Sequence, residues 1–440
     1  MTAGTTFRVQ AHDAQWRDLS SVTLLAGLDP TVDPDALRAA LRRLYDVDPT
    51  APVLCRLAQR PLRWVPVPPE EIEAWLEQLV VDVRGTGAET AEAAVERLLR
   101  EADPAVPFRL LVHDDHHAWQ LSHVLGDGIH ANRHLVAELV RCATTGEVPM
   151  GLARGPVRQR LLARAIWRTL VRHPGWAPWR TALERLRNAP QSSAADGGDR
   201  RETLSVVSRM SGPGALAAAR RWRQENAADC TVAVVTMAAV RAALDRTGAV
   251  PWDTDTVVLF DCRRYLPPGT PVPGNFSAAL RLLPGNATDP SLMVRQMRRD
   301  AALGLPLLSM LVATARQSLA RFRPLTVAGS GSVVLTHLGS LTEACELPWR
   351  ASPDEQAVVQ APAPSAAVRM TACISEWRDR INVSVSFDSR RVRRESVTLA
   401  LEQVLADPTA FLPVRRGDTP PQPGEGDGTA PDLHGLRTGP

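Results

Sequence analysis

The chain has 440 residues, 44% hydrophobic and 22% charged, with 51 basic side chains against 48 acidic ones and a formal net charge of +3. That is enough for two domains, each burying its own core, and it excludes a wholly disordered chain. All 51 basic residues are arginine, which excludes Schiff-base chemistry on a lysine, a Walker A phosphate loop and protein-kinase catalysis.

In chain order, the apolar run at 21–28 reads as a strand. Helical period then covers 34–45, with Asp33 as N-cap, and again 89–102. Two short apolar runs, 108–113 and 118–123, flank Asp114 and Asp115 and predict a hairpin. Helical pattern resumes at 129–142. The stretch 157–187 interleaves Arg with Trp167, Trp176 and Trp179, and reads as an amphipathic helix pair broken at Pro174. A membrane-surface or carrier-protein contact is the alternative for that stretch. The second half repeats the mixed style. Helices are expected at 213–226, 231–247, 289–302, 306–322 and 395–405, and strands at 256–262, 278–283, 332–338, 366–373 and 381–387. The reading is α+β: a first lobe over 1–187, a polar linker over 188–203, a second lobe over 204–412 and a disordered tail over 413–440.

Near-balanced charge lacks the basic excess of a nucleic-acid binder. The six cysteines are scattered without a CxxC pair, so they read as buried thiols rather than zinc or redox sites. Residues 1–9 hold no signal-peptide apolar core, and no apolar run reaches the roughly 18 residues of a spanning helix. A soluble, cytoplasmic protein without a transmembrane segment is expected.

Chemistry concentrates in Ser122-His123-Val124-Leu125-Gly126-Asp127-Gly128. A strand delivers His123 to a tight loop, where one ring nitrogen can act as a general base near neutral pH. Asp127 suits fixing the loop, through backbone amides or a buried arginine, and Gly128 lets the chain turn into a helix. A loop histidine beside a helix-capping aspartate is the plainer alternative. Further on, Asp261-Cys262-Arg263-Arg264 leaves a buried strand and leads to Gly274-Asn275. A buried arginine needs an acid, and Asp127 is the candidate partner. The plainer alternative is that both arginines reach solvent.

Together these segments resemble the chloramphenicol acetyltransferase-like superfamily, which includes nonribosomal peptide synthetase condensation domains, polyketide-associated acyltransferases and BAHD enzymes. His123-xxx-Asp127-Gly128 is similar to its HHxxxDG motif, and Asp261-x-Arg263 with Gly274-Asn275 to its DxR…GN segment. The resemblance implies two similar lobes in a V-shaped pseudo-dimer, with the active site in a tunnel between them. It implies His123 as the catalytic base, Asp127 as the structural acid paired with Arg263, and Gly128 with its amide near the reacting carbonyl. Ser122 and Asn275 join Arg263 as supporting residues, and Thr336 and His337 are candidates to line the tunnel. The first histidine of the motif is Ser122 here, and the DFGWG segment is replaced by Leu335-Thr336-His337-Leu338-Gly339-Ser340, similar to an SNxG strand.

The function this implies is acyl transfer from a thioester, on coenzyme A or a carrier-protein phosphopantetheine, to an amine or hydroxyl acceptor. No bound cofactor is expected. The expected partners are a small-molecule acceptor and an acyl or peptidyl carrier protein, with the chain itself a monomer. Ser122 leaves open a cyclase or isomerase, or a non-catalytic carrier-binding role. Six histidines crowd 113–134, and the i, i+4 pair His130 and His134 raises a metal site. Without a glutamate in the HExxH place, none is expected. An arginine-only, alanine-rich chain is also what a GC-rich genome writes, which suits a bacterial enzyme of specialised metabolism.

Overall fold

The computed structural model describes residues 6–413, except 18, 60, 87–88, 129–134, 154–160, 173–202, 271, 273, 284, 319–331, 351, 353–354 and 365–367. The expected linker before Thr203, the tail beyond 413, Trp176, Trp179, His130 and His134 therefore lie outside the described residues.

The strands, in chain order, are β1 (Phe7–Arg8), β2 (Ser20–Ala26), β3 (Arg56–Gln59), β4 (Leu62–Val65), β5 (Val80–Asp82), β6 (Phe108–Val112) and β7 (His116–Ser122). There follow β8 (Leu204–Met210), β9 (Thr256–Asp261), β10 (Ser277–Leu282), β11 (Ser332–Ser340), β12 (Ala357–Pro362), β13 (Val368–Trp377) and β14 (Arg380–Asp388). They form a five-stranded sheet in the order β12-β2-β7-β6-β5, a six-stranded sheet in the order β10-β9-β11-β13-β14-β8, and a small sheet, β1-β4-β3.

Local signals explain the helices that frame these sheets. Pro34–Val47 opens with Pro34 at its first turn, and Asp33 accepts the Ala36 N–H at 2.7 Å. Thr231 caps Val232–Arg246 in the same way through the Val234 N–H, and that helix is buried almost all round against the six-stranded sheet. The five-stranded sheet is covered on both faces. On one side, Trp119 and Leu121 of β7 join Leu37, Leu41 and Leu44. On the other, Ala118 joins Val95 and Leu98, together with Leu204 and Val206 of β8.

Strand β12 leaves the second half of the chain and pairs antiparallel with β2, Ala357 opposite Ala26 and Pro362 opposite Ser21. Its Val358 enters one core of the five-stranded sheet, and Val359 and Ala361 enter the other. Asn382 and Ser386 of β14 donate to the Val358 and Pro362 carbonyls, tying the crossing strand to both sheets.

The edge strand β8 is guarded by helix Ala91–Arg100. Glu96 accepts the Val206 N–H at 2.8 Å and Glu92 the Ser208 N–H at 2.9 Å. Arg394 bridges the same two glutamates. Outward-facing N–H groups that would template a foreign strand are thus occupied.

Candidate functional site

The hairpin of β6 and β7 puts His123 one residue past a strand that is buried throughout. The His123 N–H donates to the Leu19 carbonyl at 2.9 Å, extending the β2–β7 pairing by one rung. Ser122 Oγ accepts the Val124 N–H at 3.3 Å, so the residue in place of the motif's first histidine supports the turn. The ring of His123 lies 5.9 Å from that of Trp16 and tilted to it by 36°. Burial pushes the His123 pKa down, against the opposing pulls of the Asp127 charge, the Asn275 side chain and the Gly126 backbone. The net shift favours the neutral ring that accepts a proton.

The far end of the loop is held from the other half of the chain. Arg263 Nη1 meets Asp127 Oδ2 at 2.6 Å, and Ser277 Oγ donates to the same oxygen at 3.4 Å. Arg263 Nη2 donates to the Gly274 carbonyl at 2.9 Å, and Asp261 lies 3.4 Å from Nη1. Burial works against the guanidinium charge, but Asp127 and Asp261 outweigh it and push the Arg263 pKa up. Arg264 instead lies over the Phe260 ring, 5.8 Å from its centroid. The near end of the loop is held by Asn275, whose side-chain amide donates to the His123 carbonyl. Of the two arginines that leave the strand, one pairs with the loop and the other stacks on an aromatic ring.

Sequence reasoning passed over two residues that complete this cluster, Asp13 and Trp16. Asp13, in the short helix Ala11–Ala14, is 5% exposed and accepts the Asn275 backbone N–H at 2.8 Å. Burial pushes its pKa up to about 7, partly countered by the Asn275 hydrogen bonds. The neighbouring His12 packs edge-on to Phe276 and is pushed down to about 4 by burial and the charge of Arg263. No spacing rule joins residue 13 to residue 275; the available signal was an acid close to a tryptophan just ahead of the first long strand.

Gly128 sits against β11: a Cβ there would stand 3.0 Å from Leu338 Cδ2. Thr336, on the same strand, is 8% exposed. His337 Nδ1 accepts the Gly339 N–H at 2.9 Å, while Nε2 is buried with no hydrogen-bond partner among the described residues, and burial lowers the pKa to about 4. Leu338 thus brings β11 against the His123 loop at Gly128.

The other described histidines of the crowded segment stand at the opposite end of β7. His113 and His116 stack with centroids 4.1 Å apart, His116 Nδ1 meets Asp115 at 2.7 Å, and both line a cavity of about 320 Å³ with His117 and Arg350. Among the described residues no group of three His, Cys, Asp or Glu is arranged to hold a metal ion.

No family model and no curated protein matches the chain. Solved structures do. The nonribosomal peptide synthetase cyclization-docking bidomain EpoB from Sorangium cellulosum aligns with a TM-score of 0.58 at 14% identity, over 91% of this chain and 83% of that one. The trichothecene 15-O-acetyltransferase TRI3 from Fusarium sporotrichioides aligns with a TM-score of 0.56 at 13% identity, over 93% and 96%. VibH, a nonribosomal peptide synthetase condensation enzyme, aligns with a TM-score of 0.51 at 15% identity, over 88% and 90%. At such identities the likeness is one of fold, and the fold is the condensation-type, chloramphenicol acetyltransferase-like one to which the SHxxxDG and DxR…GN segments pointed.

Proposed function

We propose that this protein is an acyltransferase of the condensation type, with His123 as its general base. The observation that carries the reading is a buried histidine, its pKa pushed down by burial, on a loop anchored at both ends, by Asn275 at its own carbonyl and by Arg263 at Asp127. In the proposed step, His123 takes the proton of an acceptor amine or hydroxyl as the nitrogen or oxygen attacks the carbonyl carbon of an acyl thioester. The tetrahedral oxyanion then collapses, the carbon–sulfur bond breaks, and His123 passes its proton to the departing sulfur, so that a free thiol leaves and the ring is neutral again. Donors near the loop, the Gly128 amide among them, stabilise the oxyanion. The acyl donor is a thioester on coenzyme A or on a carrier-protein phosphopantetheine, met by the acceptor in a tunnel between the two halves.

Fold neighbours named as an acetyltransferase and a condensation enzyme support this reading, as does the placing of specialised-metabolite chemistry on the same scaffold. A second reading, ring closure without net acyl transfer, is favoured by the neighbour named as a cyclization domain and by Ser122 in place of the first histidine. Intact-mass analysis separates the two. Acyl-coenzyme A or acyl-carrier protein is incubated with amine and hydroxyl acceptors; an acceptor heavier by the acyl group supports transfer. A thioester released only as its own cyclised product supports the second reading.

A further inference from the structure

We propose that Asp13 is the positioning residue of the His123 loop: its carboxylate orients the Asn275 amide, and that amide holds the His123 carbonyl. The inference rests on the reading of His123 as the base and supplies the part that aims it.

Asp13 Oδ1 receives two hydrogen bonds from one residue, the Asn275 backbone N–H at 2.8 Å and its side-chain Nδ2 at 3.3 Å. A primary amide nitrogen carries two hydrogens in a fixed plane. One is directed to Asp13 and the other to the His123 carbonyl. The acceptor at Asp13 thereby decides which way the amide faces; reversed, the amide oxygen would oppose the carbonyl oxygen of His123. The segment is shaped for this approach. Gly274 has φ +78°, and a Cβ on it would lie 2.6 Å from Asp13 Oδ1 and 2.8 Å from Oδ2. Only a glycine lets the carboxylate lie against the backbone there. The Gly274 carbonyl in turn takes the Arg263 Nη2 hydrogen bond at 2.9 Å, so Gly274-Asn275 is held between Asp13 and the arginine that anchors Asp127.

The charged and titratable groups facing Asp13 are Arg263, Asp127 and His12, the last with Nε2 3.6 Å from Asp13 Oδ2. Both Asn275 donors end on the single oxygen Oδ1 of this buried carboxyl. The acceptor oxygen is what the site uses, and asparagine offers one in the same place.

The test labels the histidine Cε1 positions with ¹³C, identifies the His123 signal by its loss in His123→Gln, and follows it through a pH titration. Turnover of acetyl-coenzyme A with an amine acceptor is measured alongside. Asp13→Ala is expected to move the His123 signal, lower its pKa further as the upward pull of the Asn275 side chain is lost, and lower kcat about tenfold with KM little changed. Asn275→Ala should do the same, the double variant should be no worse than the more damaged single one, and Asp13→Asn should restore signal and rate. If Asp13→Ala does not fold, Asp13→Ser takes its place. An unmoved His123 signal in the folded alanine or serine variant, losses that multiply in the double variant, or an Asp13→Asn as damaged as Asp13→Ala would each overturn the proposal. If the wild-type protein turns over no acyl thioester, the acyltransferase reading fails, while the His123 signal still decides the role of Asp13.

Discussion

Arg263 and Asp127, 136 residues apart in the chain, meet at 2.6 Å with both side chains largely buried, and through that contact the second half of the protein holds the His123 loop of the first. Each charge has been taken from water, so each depends on the other. Arg263 also spans to Gly274 and Asp261, which makes it the hub of the cluster rather than half of a simple pair.

Removing one partner strands the other. Arg263→Ala is expected to lower unfolding stability by about 3 kcal/mol, as does breaking a buried pair elsewhere, and to reduce activity with it. Asp127→Asn keeps the shape and a hydrogen bond and should cost less. Urea unfolding of the two variants checks the order; an Arg263→Ala protein as stable as wild type would remove the hub role.

Two glycines with nearly the same positive φ should respond differently to alanine. Gly339, at φ +77°, has open space where a Cβ would go, so Gly339→Ala carries only the left-handed strain, about 1–2 kcal/mol. Gly274 has that strain and the Asp13 carboxylate at 2.6 Å. Thermal unfolding should rank Gly274→Ala clearly below Gly339→Ala, and equal losses would mean the carboxylate does not pack there.

Much of this fold was open to reading. The hairpin at 108–123, the capped helix at Pro34–Val47 and the buried helix at Val232–Arg246 carry their own signals: apolar alternation, an Asp-Pro start, a threonine cap. Strands β8 and β12 went unread because their residues make sense only against partners far away. β8 follows polar chain and needs Glu92 and Glu96 to quiet its edge. β12 is short, ends at Pro362, and pairs with a strand more than 300 residues earlier. The site divides likewise. His123, Asp127 and Arg263 sit in compact motifs, whereas Asp13 gains its meaning from a contact across 262 residues.

The guarded edge gives a third expectation. Glu92→Ala with Glu96→Ala frees the Val206 and Ser208 N–H groups and leaves Arg394 without its two glutamates. Hydrogen bonds to charged acceptors suggest a loss of about 3 kcal/mol for the pair. Light scattering should also show faster aggregation than in wild type at the same fraction unfolded.

The buried titrating groups set the pH dependence of stability. His12, His117 and His337 are pushed down to about 4, so the folded protein binds fewer protons than the unfolded chain between about 4 and 6.5. Each contributes stability that is present above pH 6.5 and lost as pH falls toward 4, with a slope near 1.4 kcal/mol per pH unit. Asp13, pushed up to about 7, acts the other way: its contribution is present below about 4 and lost as pH rises through 7. Three groups against one predict a Tm that rises from pH 4 to 6.5. Asp13→Asn should make that rise steeper, and a Tm flat across the range in wild type would contradict the burial of these rings.

The proposed role of His123 is to move the proton in acyl transfer. The most direct measurement is single-turnover acyl transfer by wild type and by a folded His123→Ala variant, with transfer read by intact mass. A general base of this kind predicts a fall of about 10²–10⁴-fold in the rate of the chemical step. Transfer by His123→Ala at the wild-type rate would contradict it.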